Sequence, residues 1–220
     1  MSQLQLKVDS VQLSFGEREI LRNVYLDCKQ GEIIGLLGRN GSGKSSLLKI
    51  IFGTLMPTYK YVSINNQFIK KGYHNSCIAY LPQHNYLPKC MTVKQLAKML
   101  VDKKLWDKFI STYAYLEYGH KQTNQLSGGE LRQMEMLMIL HSRADFILLD
   151  EPFTHISPIQ TEGFKTQLRE AAKTKGLILT DHQYYNILDV SDRLFLLHDG
   201  YTRRISRPDE LVQFGYLKEL

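Results

Sequence analysis

An apolar pentapeptide, Ile33-Ile34-Gly35-Leu36-Leu37, runs directly into Gly38-Arg39-Asn40-Gly41-Ser42-Gly43-Lys44-Ser45. The octapeptide fits G-x-x-x-x-G-K-[ST], and nothing else in the chain constrains the fold as tightly. Glycines allow backbone angles that other residues resist, so successive N–H groups can turn inward around phosphate oxygens. The run Ser46 to Phe52 reads as the next helix, whose N-terminus adds partial positive charge, with Gly53 placed to end it. Lys44 offers a full charge to β- and γ-phosphates, and the Ser45 hydroxyl can ligate Mg²⁺. A covered strand, a phosphate loop and a helix therefore form one unit.

Further short apolar runs at Ile78–Leu81, Phe146–Leu149 and Leu177–Leu179 alternate with helical patterns, which predicts an α/β domain with a mainly parallel sheet. Leu4 to Asp9 alternates like a half-buried strand, and Asp199-Gly200, flanked by Phe195–His198 and Tyr201–Ile205, signals a hairpin. From about Met91 to His141 the pattern becomes amphipathic helix. Thr92 with Gln95 forms a capping box there, and Met91 can staple onto Leu96. This reads as a helical subdomain inserted into a core of about 1–90 and 142–220, within one domain of 220 residues. At that length the chain buries roughly 70% of its unfolded surface.

Hydrophobic residues make up 43% and charged residues 23%, which argues against disorder. No run approaches the ~18 to 20 apolar residues of a membrane span, and the first residues show no signal-peptide pattern. Cys28, Cys77 and Cys90 are scattered and read as free thiols in a reducing compartment. The net charge of +6 includes the pairs Lys70-Lys71, Lys103-Lys104 and Arg203-Arg204 but no long basic block. Charge alone fits a nucleic-acid surface, but a simply solvated surface, or one that rests near anionic phospholipid, is the expectation.

Asp150 and Glu151 close the apolar run Phe146–Leu149, at the strand end where ligands of parallel sheets gather. Asp150 is placed to hold Mg²⁺ through water, and Glu151 to polarise an attacking water. Upstream, Leu126-Ser127-Gly128-Gly129-Glu130 contains a second capping box, Ser127 with Glu130, opening a helix over Leu131–Leu140. Its N–H groups make an anion site without a nearby lysine. The Met134, Met136, Met138 run behind it reads as packing.

Phosphate loop, Leu126–Glu130 and Asp150-Glu151 together resemble the ABC ATPases, and the match extends over nearly the whole chain. The resemblance implies a P-loop fold with an N-terminal antiparallel β subdomain and the inserted helices. It implies an ATPase using ATP and Mg²⁺, with residues 38–46 (Ser46 included) on the nucleotide and Leu126–Glu130 meeting the γ-phosphate held by a partner subunit. By the same resemblance Phe15 stacks on adenine, Gln83 senses Mg²⁺ and the transport partner, and His182 contacts the γ-phosphate. In one residue, Asp181 before His182, the chain resembles the ATPases of lipopolysaccharide export and related exporters.

One position departs from the family. In His155-Ile156-Ser157-Pro158, Ser157 stands where an aspartate is usual; it keeps the N-cap role, with Pro158 at the first helical position, but not the charge. The resemblance implies an energy-supplying subunit at the cytoplasmic face, paired head to tail with a second such subunit (a homodimer, with a heterodimer left open). A separate membrane permease would sit on a surface that includes His84, Asn85, Tyr86 and Leu87, and no nucleic acid is expected. The alternative is a soluble ABC ATPase of assembly, such as iron–sulfur cluster biogenesis.

Overall fold

The computed structural model describes residues 3–154 and 156–218. His155, and Met1 and Ser2 of the N-terminal reading, lie outside the described residues. In chain order the elements are β1 (Gln5–Phe15), β2 (Arg18–Lys29), β3 (Ile33–Leu37), α1 (Lys44–Phe52), β4 (Tyr59–Ile64), β5 (Gln67–Phe68) and β6 (Ile78–Leu81). Then come α2 (Val93–Leu100), α3 (Trp106–Ile110), α4 (Tyr113–Tyr118), α5 (Gly128–Leu140), β7 (Phe146–Asp150) and α6 (Pro158–Ala172). The chain continues through β8 (Gly176–Thr180), α7 (Tyr184–Val190), β9 (Arg193–His198), β10 (Tyr201–Ile205) and α8 (Asp209–Gln213).

The ten strands found among the described residues join one sheet in the order β5-β4-β1-β2-β10-β9-β3-β8-β7-β6. β9, β3, β8, β7 and β6 are parallel neighbours, while β1, β2, β4 and β5 pair antiparallel. The three central strands β3, β7 and β8 are buried along their whole length, as a sheet covered on both faces requires. One face packs on α1 through Leu47, Leu48 and Ile51; the other packs on α5, α6 and α7 through Met136, Phe164, Leu168 and Ile187. A third cluster, built on Val93, Leu96, Phe109, Met134 and Met138, is the core of the inserted helices.

Local chemistry explains the element ends. Asp199 (φ 50) and Gly200 (φ 82) take left-handed angles, and Tyr201 pairs with His198, so the Asp-Gly turn closes the hairpin. Capping boxes open α2 at Thr92, α5 at Ser127 and α6 at Ser157. β1 runs past the predicted Leu4–Asp9 to Phe15 because a bulge at Ser10 (φ 52) switches the inward residues from Leu6 and Val8 to Val11 and Leu13. That change of parity hides the second half of the strand from a period-two reading. Met134, Met136 and Met138 are all fully buried, and α5 uses them on both sides: Met134 and Met138 in the helical core, Met136 against the sheet.

Candidate active site

The phosphate loop links β3 to α1. Gly41 (φ 76) and Gly43 (φ 104) take angles suited to glycine, and a Cβ at Gly43 would lie 2.8 Å from Ile20 Cγ2. Gly43 is also the N-cap of α1, so no side chain occupies that helix's first N–H groups, unlike α2, α5 and α6. Those N–H groups are available to an anion. Lys44 Nζ donates to Gly38 O (2.6 Å) and Arg39 O (3.2 Å). Burial pulls its pKa down, while Glu151, Asp150 and Asp181 push the other way.

In the first turn of α1, the Ser45 hydroxyl donates to Asp150 Oδ1 (2.9 Å), and the Tyr80 hydroxyl donates to Asp150 Oδ2 (2.9 Å). Asp150 ends β7 at 1% exposure; burial pushes its carboxyl up, against the pull of these two hydrogen bonds. Glu151 follows with φ 49. Gln83 Nε2 donates to Glu151 Oε2 (2.9 Å), and His182 Nδ1 lies 3.4 Å from the same oxygen. Asp181, fully buried, is held by the N–H groups of Phe153 (3.1 Å) and Gln183 (2.9 Å), which positions His182 beside Glu151.

These groups surround a cleft of about 690 Å³ lined by Phe15, Ile20, Asn40, Gly41, Gly43, Lys44, Ser45, Ser46, Gln83, Glu151, Thr154 and His182. Phe15 presents an exposed ring at its edge. Gly38 and Ser42 shape the loop without lining the cleft, and Asp150 sits behind Ser45. Arg39, also in the loop, turns its guanidinium away from the cleft and donates to Gly215 O (2.6 Å), which leaves its backbone as the part on the phosphate side. Leu126–Glu130 and Ser157 are also outside this cleft. Ser127 and Gly128 are exposed, and a Cβ at Gly128 would meet nothing within 4 Å, so this helix end is open to an approaching molecule.

The residues fit a Mg²⁺–nucleotide ligand. Ser45 and Asp150 bring two hard oxygen ligands within hydrogen-bond distance of each other, the donor type Mg²⁺ takes alongside phosphate oxygens and water. The glycine loop, an uncapped helix N-terminus and Lys44 supply the phosphate cradle.

Sequence reading missed Tyr80, although its place two residues before Pro82 in an apolar strand is a visible signal. It also missed a buried ion pair, Arg132 with Glu135 (3.4 Å, exposures of 2% and 0%), whose opposite charges three residues apart beside the Met136–Leu140 apolar run were the available sign. Leu87, at 7% exposure, belongs to the helical core, while His84, Asn85 and Tyr86 are exposed.

A family model described as ABC transporter matches residues 21–154. The lipopolysaccharide export system ATP-binding protein LptB of Acidithiobacillus ferridurans is 28% identical, over 100% of this chain and 97% of its own. An uncharacterized ABC transporter ATP-binding protein of Methanocaldococcus jannaschii is 32% identical, over 91% of this chain and 85% of its own. Among solved structures, an ATP binding subunit of an ABC transporter superposes with TM-score 0.84 at 21% identity, covering 96% of this chain and 93% of that one.

Proposed function

The chain belongs to the ABC transporter family, and on that premise we propose that it is the subunit whose ATP hydrolysis drives a membrane transporter with a separate spanning polypeptide. It is an ATPase of the P-loop ABC type. The observation that carries the reading is the convergence of Lys44, Ser45, Gln83, Glu151 and His182 on one cleft beside Phe15.

In this reading the loop N–H groups and Lys44 hold the β- and γ-phosphates, and Phe15 stacks on adenine. Ser45 and Asp150 hold Mg²⁺, with Gln83 beside them, and the ion when bound neutralises phosphate charge. Glu151 takes the proton of the attacking water, oriented by the Gln83 amide, and His182 contacts the γ-phosphate. Water adds to the γ-phosphorus as the bond to the ADP oxygen breaks, giving ADP and phosphate. Charge stabilisation and positioning supply most of the rate.

The open end of α5 lies outside its own chain's cleft, which supports a head-to-tail pair in which Ser127-Gly128-Gly129 of a second subunit closes over the bound ATP. The permease would seat in the groove of about 810 Å³ between sheet and helical insert, where Tyr86, Met99 and Leu100 expose apolar surface beside Lys98, Lys103 and Lys104. No helix among the described residues is long and apolar enough to cross a membrane. In this reading the chain would work at the cytoplasmic face of that separate polypeptide.

Co-purification from gently solubilised membranes of the native cell tests the proposal. A polytopic membrane protein at stoichiometric yield supports it. A soluble partner with nothing membrane-spanning moves the reading to an ATPase of assembly, such as iron–sulfur cluster biogenesis.

A further inference from the structure

The Arg132–Glu135 pair lies outside the cleft, yet its hydrogen bonds end on the segments that build it. Arg132 Nη2 donates to two consecutive carbonyls, Asp150 O and Glu151 O, each at 3.0 Å. In an extended strand successive carbonyls point to opposite sides, so both can meet one nitrogen only where the chain turns between them. The turn is the left-handed Glu151, φ 49, an angle that a non-glycine residue adopts only when its surroundings hold it. Arg132 Nη1 donates to Pro82 O (2.7 Å), the residue before Gln83. Both ends of the Gln83–Glu151 hydrogen bond are thus fastened to one guanidinium.

Glu135 completes the arrangement. One of its oxygens faces Arg132 Nη1, and the other accepts the N–H groups of Tyr86 (2.7 Å) and Leu87 (3.3 Å). The pair therefore neutralises itself, satisfies backbone groups at three places, and ties α5 to the 82–87 segment and to the end of β7. Arg132 stands within the second turn of the helix whose first residues are Gly128 and Gly129.

We propose that Arg132 is a positioning residue for hydrolysis: it holds the backbone of Glu151 in its left-handed turn and sets the Gln83–Glu151 distance, while Glu135 keeps the guanidinium charged and in place. The inference rests on the reading of Glu151 as the carboxylate that polarises water. Because α5 carries both this brace and Ser127-Gly128-Gly129, a shift of its N-terminus against a partner subunit reaches the chain's own Glu151 through a single side chain. Nucleotide binding, which uses the phosphate loop, does not depend on it.

The test separates binding from turnover in the full chain. Arg132→Lys keeps the positive charge that Glu135 faces but reaches fewer carbonyls. The double variant Arg132→Met with Glu135→Leu removes the pair together, so no buried charge is left alone. For each, affinity for a non-hydrolysable ATP analogue with Mg²⁺ is measured by equilibrium titration, alongside kcat and a thermal melt.

The expected result is parental affinity with kcat lower by about 100-fold in the double variant, the scale of a roughly 1 Å misplacement of a reacting group. Arg132→Lys should fall between the two. Turnover at the parental rate in either variant overturns the inference, as does loss of affinity in step with loss of turnover, which marks general damage. If the double variant has no cooperative melt, Arg132→Lys decides by the same split. Glu151→Gln, assayed alongside, distinguishes the two levels of the argument. If it keeps turnover, the reading of Glu151 has failed; if it is inactive while the Arg132 variants are not, the brace alone has failed.

Discussion

The Ser45 hydroxyl donates to Asp150 Oδ1 across 2.9 Å, joining the first turn of α1 to the last residue of β7. With Tyr80 on the other oxygen, the carboxylate is held on both sides at 1% exposure. Burial outweighs both hydrogen bonds and raises its pKa in the folded chain. A carboxyl raised above its unfolded value of about 3.9 is most favourable to folding below that pH, and its contribution is lost as pH rises through the folded value. At neutral pH the charge at Asp150 is therefore held against stability.

Asp150→Asn should accordingly melt at a higher temperature than the parent without nucleotide at pH 7.5, while Mg²⁺-dependent ATP turnover falls to background. Calorimetry and a phosphate-release assay check the two halves. A lower melting temperature would mean that the hydrogen bonds from Ser45 and Tyr80 outweigh burial.

Glu151→Gln should lower kcat by about 10² to 10⁴, the range for a general base, with ATP still bound. Since hydrolysis is what releases the proposed pair, this variant should sediment as a dimer in Mg-ATP and as a monomer without nucleotide. A variant that stays monomeric in Mg-ATP counts against ATP as the adhesive between subunits.

Ser157 caps α6, accepting from the Gln160 N–H at 3.4 Å, and Asp caps a helix equally well. Ser157→Asp should therefore leave folding stability within about 0.5 kcal/mol of the parent. It restores the charge usual in the family, and the expected outcome is steeper cooperativity in ATP, read from the Hill coefficient of turnover. Unchanged rate and cooperativity would remove Ser157 as a weak link between the two sites.

His141 ends α5 at 5% exposure, its Nδ1 2.8 Å from Leu137 O and its ring against Phe109. Burial lowers its pKa, with Lys108 and Lys175 acting in the same direction. The unfolded chain then takes up a proton first, so stability is full above about pH 6.5 and falls as pH drops from there toward the folded value. The slope should be at most about 1.4 kcal/mol per pH unit. His141→Gln should flatten the decline of melting temperature between pH 7 and 6, and an unaltered decline would assign it to other groups.

The sequence by itself determined the elements whose signals are local. The glycine turn from β3 into α1, the Asp199-Gly200 hairpin, the capping boxes at Thr92 and Ser127 and the N-cap at Ser157 each depend on a few neighbouring residues, and all formed as read. The inward-facing strands were legible because sheets covered on both faces need continuous apolar runs. Tertiary structure alone decided where distant side chains meet. Tyr80 on Asp150, Arg132 on the carbonyls of Asp150, Glu151 and Pro82, and Arg39 turned toward Gly215 all depend on contacts between residues far apart in sequence. Local pattern can mark a residue such as Tyr80 or Arg132 but not name its partner, because a hydrogen bond depends on separations of about 3 Å that are set only when strands and helices have packed.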